Sequence, residues 1–387
     1  MDSVTVNRRA EKRWASGHPW IFRSDVLERT TSPAGAVRVE TAKGRPIGVA
    51  LWSPKSEISL RMIDRDPRAE IDAAWWHRRI GMAIRRREGV ASGATAYRLV
   101  HGEADGCPSL VCDRYGEYLV VQLLSAGIEG YREEIVASLL ELAQPAGILA
   151  RNDAPVRAKE GLPRNVESMH GQVPREIEVA ENGVRYLAAP WDGQKTGAFL
   201  DQRENRVLVG KIARGRALDC FSYHGSFALH LARGAGRVTA LDSSGPALER
   251  ARANAELNGF SNIDFVEADA FDFLRAGVTE RLRYDTIVLD PPAFAKNRQS
   301  LAGAMRGYKE INLRGMQLLA EGGYLFTASC SFHLSRELFL EMLADAAADS
   351  GRTIALRAMT GQPDDHPEIL TIPETGYIKG ALLQAVD

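Results

Sequence analysis

Short apolar runs alternate with longer amphipathic stretches through the C-terminal half of the chain. From about Gly183 onward, strand-like segments such as RALDC and TIVLD alternate with helix-like segments such as SFALHLARGA and GPALERARANAELNG. Runs that are apolar at every position are typical of strands buried on both faces, as in parallel sheets. The pattern predicts a doubly wound, mostly parallel, Rossmann-like α/β domain over residues 186–387.

The N-terminal part follows a different pattern, in which short β-runs are separated by turns. RVETAKGRPIGVALW contains a turn near Lys43, and SEISLRMIDRD is typical of a further strand. These segments predict a small β-barrel over residues 1–72. Residues 73–185 mix strands with helix-like text such as IDAAWWHRRIGMAIRRR, which predicts a middle α/β domain. Within it, the charged, Pro- and Gly-containing segment Ala158–Gly171 predicts a loop.

Length and composition exclude several classes of protein. A chain of 387 residues is too long for one small module, and 45% hydrophobic residues exclude global disorder. The net charge of −1 excludes a polybasic binder, yet residues 1–90 hold 18 Lys and Arg against 11 Asp and Glu. An anionic partner would therefore meet the N-terminal end, although a solvated Arg-rich surface gives the same pattern.

Cysteine content and hydropathy indicate the cellular compartment of the protein. Four cysteines are too few for a disulfide framework, and Cys107 and Cys112 lack the second pair that a structural zinc site needs. We therefore expect no metal. The chain has no apolar run of about 18 residues and no N-terminal signal segment, so we expect a cytoplasmic protein without membrane contact.

Acidic residues stand where two predicted strands end. Asp219 ends the first strand of the α/β domain, and Asp242 follows 23 positions later. An acidic residue at about that distance binds ribose hydroxyls in nucleoside-cofactor sites, although a simple helix cap is the alternative. The turn lacks the glycine fingerprint that brings the backbone close to a pyrophosphate. S-adenosylmethionine has no phosphate, so it fits this turn better than a nicotinamide dinucleotide.

Two further strand ends carry candidate chemistry. In DPPAF, Asp290 precedes two prolines that make a rigid loop, and Phe294 could stack on a planar ring; an ordinary turn is the alternative. Cys330 lies between two serines at the end of the next strand. A lone cysteine in a strand is commonly a small buried hydrophobe, but beside Asp290 it would face the same cleft as a nucleophile. We interpret Cys220 as packing.

At these residues the C-terminal half resembles class I S-adenosylmethionine-dependent methyltransferases. Nearly the whole chain is similar to the RlmI-like cytosine-5 methyltransferases of large-subunit (23S) ribosomal RNA. WASGHPWIF resembles the start of that family's RNA-binding PUA domain, HGEADGCPSLVCDRYGEYLVVQ its middle domain, and QKTGAFLDQRENR the segment before the first Rossmann strand. The resemblance implies a 23S rRNA substrate, S-adenosylmethionine as cofactor, and a homodimer.

The resemblance also implies roles for individual residues. The methionine and ribose side of the cofactor would be lined by Asp219, Phe221, Ser222, Tyr223 and Gly225. The ribose hydroxyls and the adenine would lie against Asp242, Ser243, Asp269 and Ala270. The upstream segment would close the cofactor site with Lys195, Phe199, Gln202 and Arg203. Asp290 would border the cofactor and, with Pro292 and Phe294, hold the target base, while Cys330 would be the nucleophile.

The sequence departs from the family pattern at one position, and three alternative functions remain open. Some RNA cytosine-5 methyltransferases carry a second cysteine in the Pro-Pro motif, whereas DPPAF has none, so the group that removes the C5 proton is not identified. The rivals are a methyltransferase that acts on a guanine nitrogen, a non-catalytic RNA-binding protein with a degenerate Rossmann domain, and a dinucleotide dehydrogenase. Cys330 favours carbon as the target, because a ring nitrogen already carries a lone pair and needs no covalent activation.

Overall fold

The computed structural model describes residues 1–295 and 299–387. The chain forms two units. The first unit comprises residues 1–181, 188–201 and 364–376, and the second comprises residues 182–187, 202–363 and 377–387. The last stretch of the first unit therefore comes from a segment close to the C-terminus.

The N-terminal 181 residues form strands and helices of mixed order. The strands are β1 (Ser3–Val6), β2 (Trp20–Ile21), β3 (Val26–Glu28), β4 (Gly35–Thr41), β5 (Pro46–Trp52), β6 (Leu60–Asp64), β7 (Ala96–His101), β8 (Leu110–Tyr115), β9 (Tyr118–Leu123), β10 (Gly147–Asn152), β11 (Asn165–Gly171) and β12 (Ile177–Glu181). The helices are α1 (Arg8–Ala15), α2 (Ala73–Arg85), α3 (Glu88–Ala91), α4 (Ala126–Glu129), α5 (Arg132–Ala143) and α6 (Val156–Glu160).

Two sheets organise this first unit. A six-stranded sheet has the order β2-β6-β5-β4-β1-β3, and a five-stranded sheet has the order β11-β10-β9-β8-β7. The hydrophobic pattern of this region predicts strands and did not predict helix α1. Asn7 caps this helix by accepting a hydrogen bond from the amide of Ala10 (3.0 Å).

The predicted loop at Ala158–Gly171 is wrong. This segment contains the end of α6 and the whole of β11, which pairs antiparallel with β10. The half-exposed pattern of β11 gives little periodicity along the chain. Its strand character comes from backbone hydrogen bonds to β10, a partner that local sequence does not reveal.

The rest of the chain alternates strands and helices. The strands are β13 (Val184–Ala188), β14 (Arg216–Cys220), β15 (Arg237–Asp242), β16 (Ile263–Glu267), β17 (Tyr284–Leu289), β18 (Leu319–Ser329), β19 (Ile354–Thr360) and β20 (Lys379–Ala385). The helices are α7 (Arg203–Ile212), α8 (Ser226–Ala232), α9 (Gly245–Leu257), α10 (Ala270–Thr279), α11 (Leu301–Leu318) and α12 (Arg336–Ser350).

The second unit is built on a seven-stranded sheet of order β16-β15-β14-β17-β18-β20-β19. The first five of these strands are parallel, and β20 runs antiparallel to both β18 and β19. One buried cluster includes Leu218, Ile287 and Leu325, and another includes Ala217, Val288 and Phe326. Successive residues of one strand thus serve cores on opposite faces, as the uniformly apolar runs predicted.

This architecture confirms the predicted fold class, a doubly wound α/β domain preceded by a small β-domain and mixed α/β structure. In the part of the chain that the structure describes, no helix combines the length and the apolar character needed to cross a membrane.

Candidate active site

Four of the predicted strand ends lie side by side in the second unit. The order β15-β14-β17-β18 places Asp242, Asp219, Asp290 and Cys330 at or just beyond the carboxyl ends of four neighbouring parallel strands. The register aligns Leu289 with Thr327, so Asp290 and Cys330 both leave the sheet at its carboxyl edge. In open α/β sheets this edge, near the point where the strand order reverses, is the place where ligands bind.

The turn between β14 and α8 is held by the buried carboxyl group of Asp219. Its Oδ2 accepts hydrogen bonds from Ser222 Oγ (2.6 Å) and from the amide of Ala228 (3.0 Å). The turn contains Phe221 (φ 65°) and Tyr223 (φ 51°), two bulky residues in the left-handed region. Such backbone is strained for these residue types and recurs where a loop must shape a binding site.

Asp242, at the end of β15, holds the same turn from the neighbouring strand. Its Oδ2 accepts from the amide of Tyr223 (2.8 Å), and its Oδ1 accepts from the amide of Ser244 (2.9 Å), the residue that caps α9. Each carboxylate oxygen has a second lone pair, so these bonds orient Asp242 and leave it able to accept from a ligand. Its half-buried position suits that role.

Asp269 acts as a helix cap in this structure. Its Oδ1 accepts from the amides of Phe271 (2.8 Å) and Asp272 (3.1 Å) at the start of α10. Ala270 is the first residue of that helix and is buried. These bonds account for the acidic residue at this position without a ligand, so its predicted contact with adenine stays a prediction.

The Asp219 carboxyl group lies near two other acidic side chains at this edge of the sheet. Burial, together with the negative charges of Asp290 and Asp242, raises the pKa of Asp219 to about 7. Oδ1 of Asp219, which is 1% exposed, accepts no hydrogen bond from the residues that the structure describes. A buried carboxyl oxygen without a partner, among like charges, favours a cationic ligand. S-adenosylmethionine carries a sulfonium and an ammonium group and fits this charge pattern, whereas an anionic pyrophosphate does not.

Asp290 is oriented by residues that precede β14. Gln202 donates a hydrogen bond from Nε2 to Oδ1 of Asp290 (2.9 Å), and Gln202 Oε1 accepts from Asn205 Nδ2 (2.6 Å). Asn205 also donates to the carbonyl oxygen of Gly361 (3.1 Å). Gln202 and Asn205 are both buried, so this chain of bonds fixes the direction of the Asp290 carboxyl group.

The ring of Phe294 packs in an aromatic cluster. Its centroid lies 4.6 Å from that of Tyr308, 6.0 Å from that of Phe271 and 6.4 Å from that of Phe221. These contacts leave Phe294 half-buried, while Pro292 in the same loop is exposed. Phe294 thus packs against Phe221 in the turn between β14 and α8, which supports the loop that Asp290 begins.

Hydrogen bonds tie the loop after Asp290 to the loop that holds Cys330. Ser331 Oγ accepts from the amide of Ala295 (3.2 Å) and lies 2.9 Å from the hydroxyl of Tyr308. The Ser331 carbonyl oxygen accepts from Lys379 Nζ (2.7 Å). Burial raises the pKa of Tyr308, so its hydroxyl stays protonated and can donate. Cys330 is therefore presented by a loop that is anchored on both sides.

Cys330 differs from the other three cysteines in its environment. Cys107, Cys112 and Cys220 are fully buried, and Cys330 is half-exposed. Burial raises the pKa of Cys107 to about 12, and it raises those of Cys112 and Cys220 as well. Buried thiols of this kind are inert, so Cys330 is the cysteine whose thiolate a substrate could reach.

Lys195 and Phe199 belong to the first unit. Lys195 forms an ion pair with Asp201, and its Nζ lies 4.7 Å from the centroid of the Phe199 ring. Thr196 between them donates to Asp113 Oδ2 (2.6 Å) and bonds the hydroxyl of Tyr115 (2.9 Å). This segment is therefore anchored on β8, and its predicted role in closing the cofactor site stays a prediction.

The remaining predicted residues lie in the second unit. Arg203 begins α7 and is buried, with Nη2 3.4 Å from Glu204 Oε1. Ser243 is exposed between Asp242 and the cap of α9. Gly225 has φ 85° and ends the strained turn at the start of α8.

Sequence reasoning missed two residues beside Cys330. Phe332 is 56% exposed, although Leu334 in the same loop is buried. Lys379 is 4% exposed and begins β20 directly opposite Ser329 in the register. The sequence contained a signal for Lys379, because this charged residue stands in the mostly apolar segment YIKGALLQAV. The signal for Phe332 was weak, because it is a single apolar residue in a turn.

Comparisons with known proteins agree with this geometry. A family described as S-adenosylmethionine-dependent methyltransferase matches residues 156–370, more than half of the chain. A family described as a PUA-like domain matches residues 4–65.

Two relatives extend the similarity over nearly the full length. A protein of Aeromonas salmonicida named ribosomal RNA large subunit methyltransferase I is 41% identical over 384 residues, covering 97% of each chain. A protein of Shewanella amazonensis with the same name is 41% identical over 379 residues, covering 96% of each chain.

Solved structures share the fold. A structure described as an S-adenosylmethionine-dependent methyltransferase from Streptococcus mutans has a TM-score of 0.84 at 21% identity, covering 100% of both chains. A methyltransferase structure in complex with S-adenosylhomocysteine has a TM-score of 0.85, also at 21% identity, covering 100% of both chains.

Proposed function

Because this chain belongs to the S-adenosylmethionine-dependent methyltransferases, within the family of ribosomal RNA large subunit methyltransferase I, we propose that it methylates C5 of a cytosine in 23S ribosomal RNA. The observation that carries the proposal is the placement of Cys330, the half-exposed cysteine, at the carboxyl end of the strand next to the one that Asp290 follows. A carbon target explains a nucleophilic cysteine at this place, and a guanine nitrogen does not.

The names of the relatives support ribosomal RNA as the substrate class. The PUA-like domain adds cationic side chains, because α1 carries exposed Arg8 and Lys12, while its Arg9 and Arg13 pair with the buried Asp25. Arg65 also lies over the ring of Trp14, with its guanidinium carbon 4.2 Å from the centroid. Cations and half-exposed aromatic rings together suit the backbone and bases of single-stranded RNA.

The cofactor would be held by the three neighbouring strand ends. The carboxyl groups of Asp219 and Asp290 suit its cationic part, and Asp242 can accept from the ribose hydroxyls. The strained turn at Phe221 and Tyr223 would shape the floor of this site. S-adenosylmethionine supplies the electrophilic methyl group, and the residues of this chain prepare the base to receive it.

C5 of cytosine is a weak nucleophile until C6 is attacked. The Cys330 thiolate adds to C6, a carbon–sulfur bond forms, and the electron pair of the 5,6 double bond moves toward C5 and the ring. C5 is then nucleophilic enough to bond to the methyl group, whose bond to the cofactor sulfur would break, so that S-adenosylhomocysteine would be the leaving group. Loss of the C5 proton to a base and departure of the Cys330 sulfur restore the double bond. The target base must be single-stranded or flipped out of a helix to be reached.

Asp290 would assist the attack on C6. A protonated carboxyl group that donates a hydrogen bond or its proton to N3 draws electrons from the ring and makes C6 more electrophilic. Gln202 holds one oxygen of this carboxyl group at 2.9 Å. Asp290 therefore keeps a fixed direction while the base enters, and Pro292 and Phe294 support the same loop.

The direct test is methyl transfer from labelled S-adenosylmethionine to unmodified 23S rRNA, followed by nucleoside analysis. Wild type should form 5-methylcytidine, Cys330→Ala should form none, and Cys107→Ala should match wild type because Cys107 is buried in the first unit. Methylation of a guanine nitrogen, or equal labelling by wild type and Cys330→Ala, would refute the proposed reaction.

Covalent chemistry can be tested separately with RNA that contains 5-fluorocytidine. Fluorine at C5 cannot leave as a proton, so the adduct through Cys330 should persist and migrate slowly on a denaturing gel. Cys330→Ser should give no adduct.

The proposal also includes a homodimeric assembly, a cytoplasmic location and three domains with the limits 1–72, 73–185 and 186–387.

A further inference from the structure

Lys379 is a charged side chain in the interior of the second unit. It is 4% exposed, and its Nζ donates to the carbonyl oxygens of Ser331 (2.7 Å) and Tyr377 (2.8 Å). Lysine is almost never buried to this extent, because removing an ammonium group from water is highly unfavourable. These two carbonyl groups fix the position of the ammonium group next to the Cys330 loop.

The position of Lys379 relates it to the nucleophile. Ser331, whose carbonyl oxygen it binds, is the residue directly after Cys330. Bond geometry then limits the distance between the ammonium nitrogen and the Cys330 sulfur to about 12 Å at most. Charges interact more strongly across a protein interior than through water, so this separation is within the reach of the Lys379 field.

We propose that Lys379 is a positioning residue that holds the Cys330 loop by the Ser331 carbonyl group and stabilises the Cys330 thiolate with its buried positive charge. A thiolate, and not a thiol, attacks carbon, so catalysis near neutral pH needs such a field. The proton released on ionisation goes to solvent through the exposed side of Cys330. The proposal rests on the proposed role of Cys330 as nucleophile.

Other groups around Cys330 differ from Lys379 in sign or exposure. Tyr308 stays neutral because burial raises its pKa, and a negative charge on Cys330 raises it further. The Asp290 carboxylate follows the neighbouring strand and opposes a second negative charge. His333 is exposed in the same loop, and Arg336 begins the exposed first turn of α12. Among the groups just named, Lys379 is the one that is buried, cationic and hydrogen-bonded to this loop.

Thiol alkylation measures this effect without RNA. The rate of iodoacetamide addition to Cys330 would be followed by mass spectrometry between pH 6 and pH 10, with buried Cys107, Cys112 and Cys220 as internal references. Lys379→Gln keeps a hydrogen-bond donor and removes the charge, so it should move the midpoint upward by about one pH unit. Lys379→Arg keeps the charge and should stay near wild type. Lys211→Gln, on the exposed end of α7, should equal wild type.

Two results would overturn the proposal. The first is an unchanged midpoint in Lys379→Gln that binds S-adenosylmethionine and unfolds as wild type does. The second needs no variant: a wild-type midpoint at or above that of an ordinary cysteine, about 8.5, would show that no stabilising field acts. Because neither result depends on RNA, failure of the rRNA assignment would leave this test standing.

Discussion

Gln202 donates a hydrogen bond of 2.9 Å to Asp290 from a position 88 residues earlier in the chain. The bond links the residue just before α7 to the loop that follows β17. Asn205 and the carbonyl group of Gly361 continue the connection, so three separate segments determine the direction of one carboxyl group.

Replacement of Gln202 by Leu should lower kcat for methyl transfer, because the Asp290 carboxyl group loses a bond that fixes its direction. A hydrogen bond to a charged group is worth about 1.5–3 kcal/mol, which corresponds to roughly a tenfold to hundredfold loss of rate. Steady-state methylation of 23S rRNA measures it. Gln317→Leu on α11, where the amide bonds Arg314 (3.2 Å), is the matched control. An unaltered kcat in Gln202→Leu would show that Asp290 needs no such support.

Removal of the Tyr308 hydroxyl should weaken the connection between the loop after Asp290 and the loop that holds Cys330. Tyr308→Phe keeps the ring contact with Phe294 and leaves buried Ser331 without one partner. We expect a loss of about 1 kcal/mol in the free energy of unfolding and a lower kcat. Urea unfolding and methylation assays test both effects. Tyr324→Phe, on the neighbouring element β18, controls for loss of a tyrosine hydroxyl. Equal behaviour of the two variants would contradict the prediction.

Affinity for S-adenosylmethionine should depend on pH through Asp219. Its pKa is raised to about 7 by burial, so the carboxyl group is protonated below that pH and charged above it. A cationic ligand favours the carboxylate, so binding below pH 7 must release a proton, and Kd should rise as pH falls, up to tenfold per pH unit. Calorimetry in two buffers of different ionisation enthalpy measures the released proton.

Asp219→Asn is the control for this pH effect. The amide oxygen can still accept from Ser222 Oγ, but the side chain no longer titrates. Its affinity should be weaker and nearly independent of pH between 6 and 8. The same pH dependence in Asp219→Asn and in wild type would assign the effect to another group.

Phe332 should contribute to RNA binding. The Phe332 ring is 56% exposed two residues after Cys330, and it contacts the His333 ring edge-on at a centroid distance of 5.5 Å. Stacking of a base on an aromatic ring is worth about 1–3 kcal/mol, so Phe332→Ala should raise the KM for RNA about tenfold or more and leave cofactor affinity unchanged. Phe332→Trp should retain binding and report it by fluorescence quenching. Leu340 is a half-exposed apolar residue on α12, and Leu340→Ala should leave the KM for RNA unchanged. If Phe332→Ala raises this KM no more than Leu340→Ala does, stacking on Phe332 is excluded.

The comparisons confirm the predicted family and cofactor. Both could be predicted because they depend on short local patterns. Asp219, Asp242, Asp290 and Cys330 each follow an apolar run, and a chain that alternates strands and helices brings parallel strand ends to one edge. The strands that end at Asp290 and Cys330 are adjacent in the sheet, which is the condition for both side chains to face one cleft. Individual cofactor contacts, including those of Lys195 and Phe199, remain predictions.

Residues distant in sequence determine the features that were missed. The β-strand at Asn165–Gly171 depends on pairing with β10, and Lys379 meets Ser331 across 48 residues. The packing of the Phe294 ring with Tyr308 also comes from distant residues, and its stacking on a ligand ring remains a prediction. Hydrophobic periodicity and strand-end chemistry are local properties, so the sequence by itself determined the fold class and the catalytic candidates. Burial, hydrogen-bond partners and local electric field are sums over distant neighbours, so only the tertiary structure decided how Asp290 is oriented and which cation lies beside the Cys330 loop.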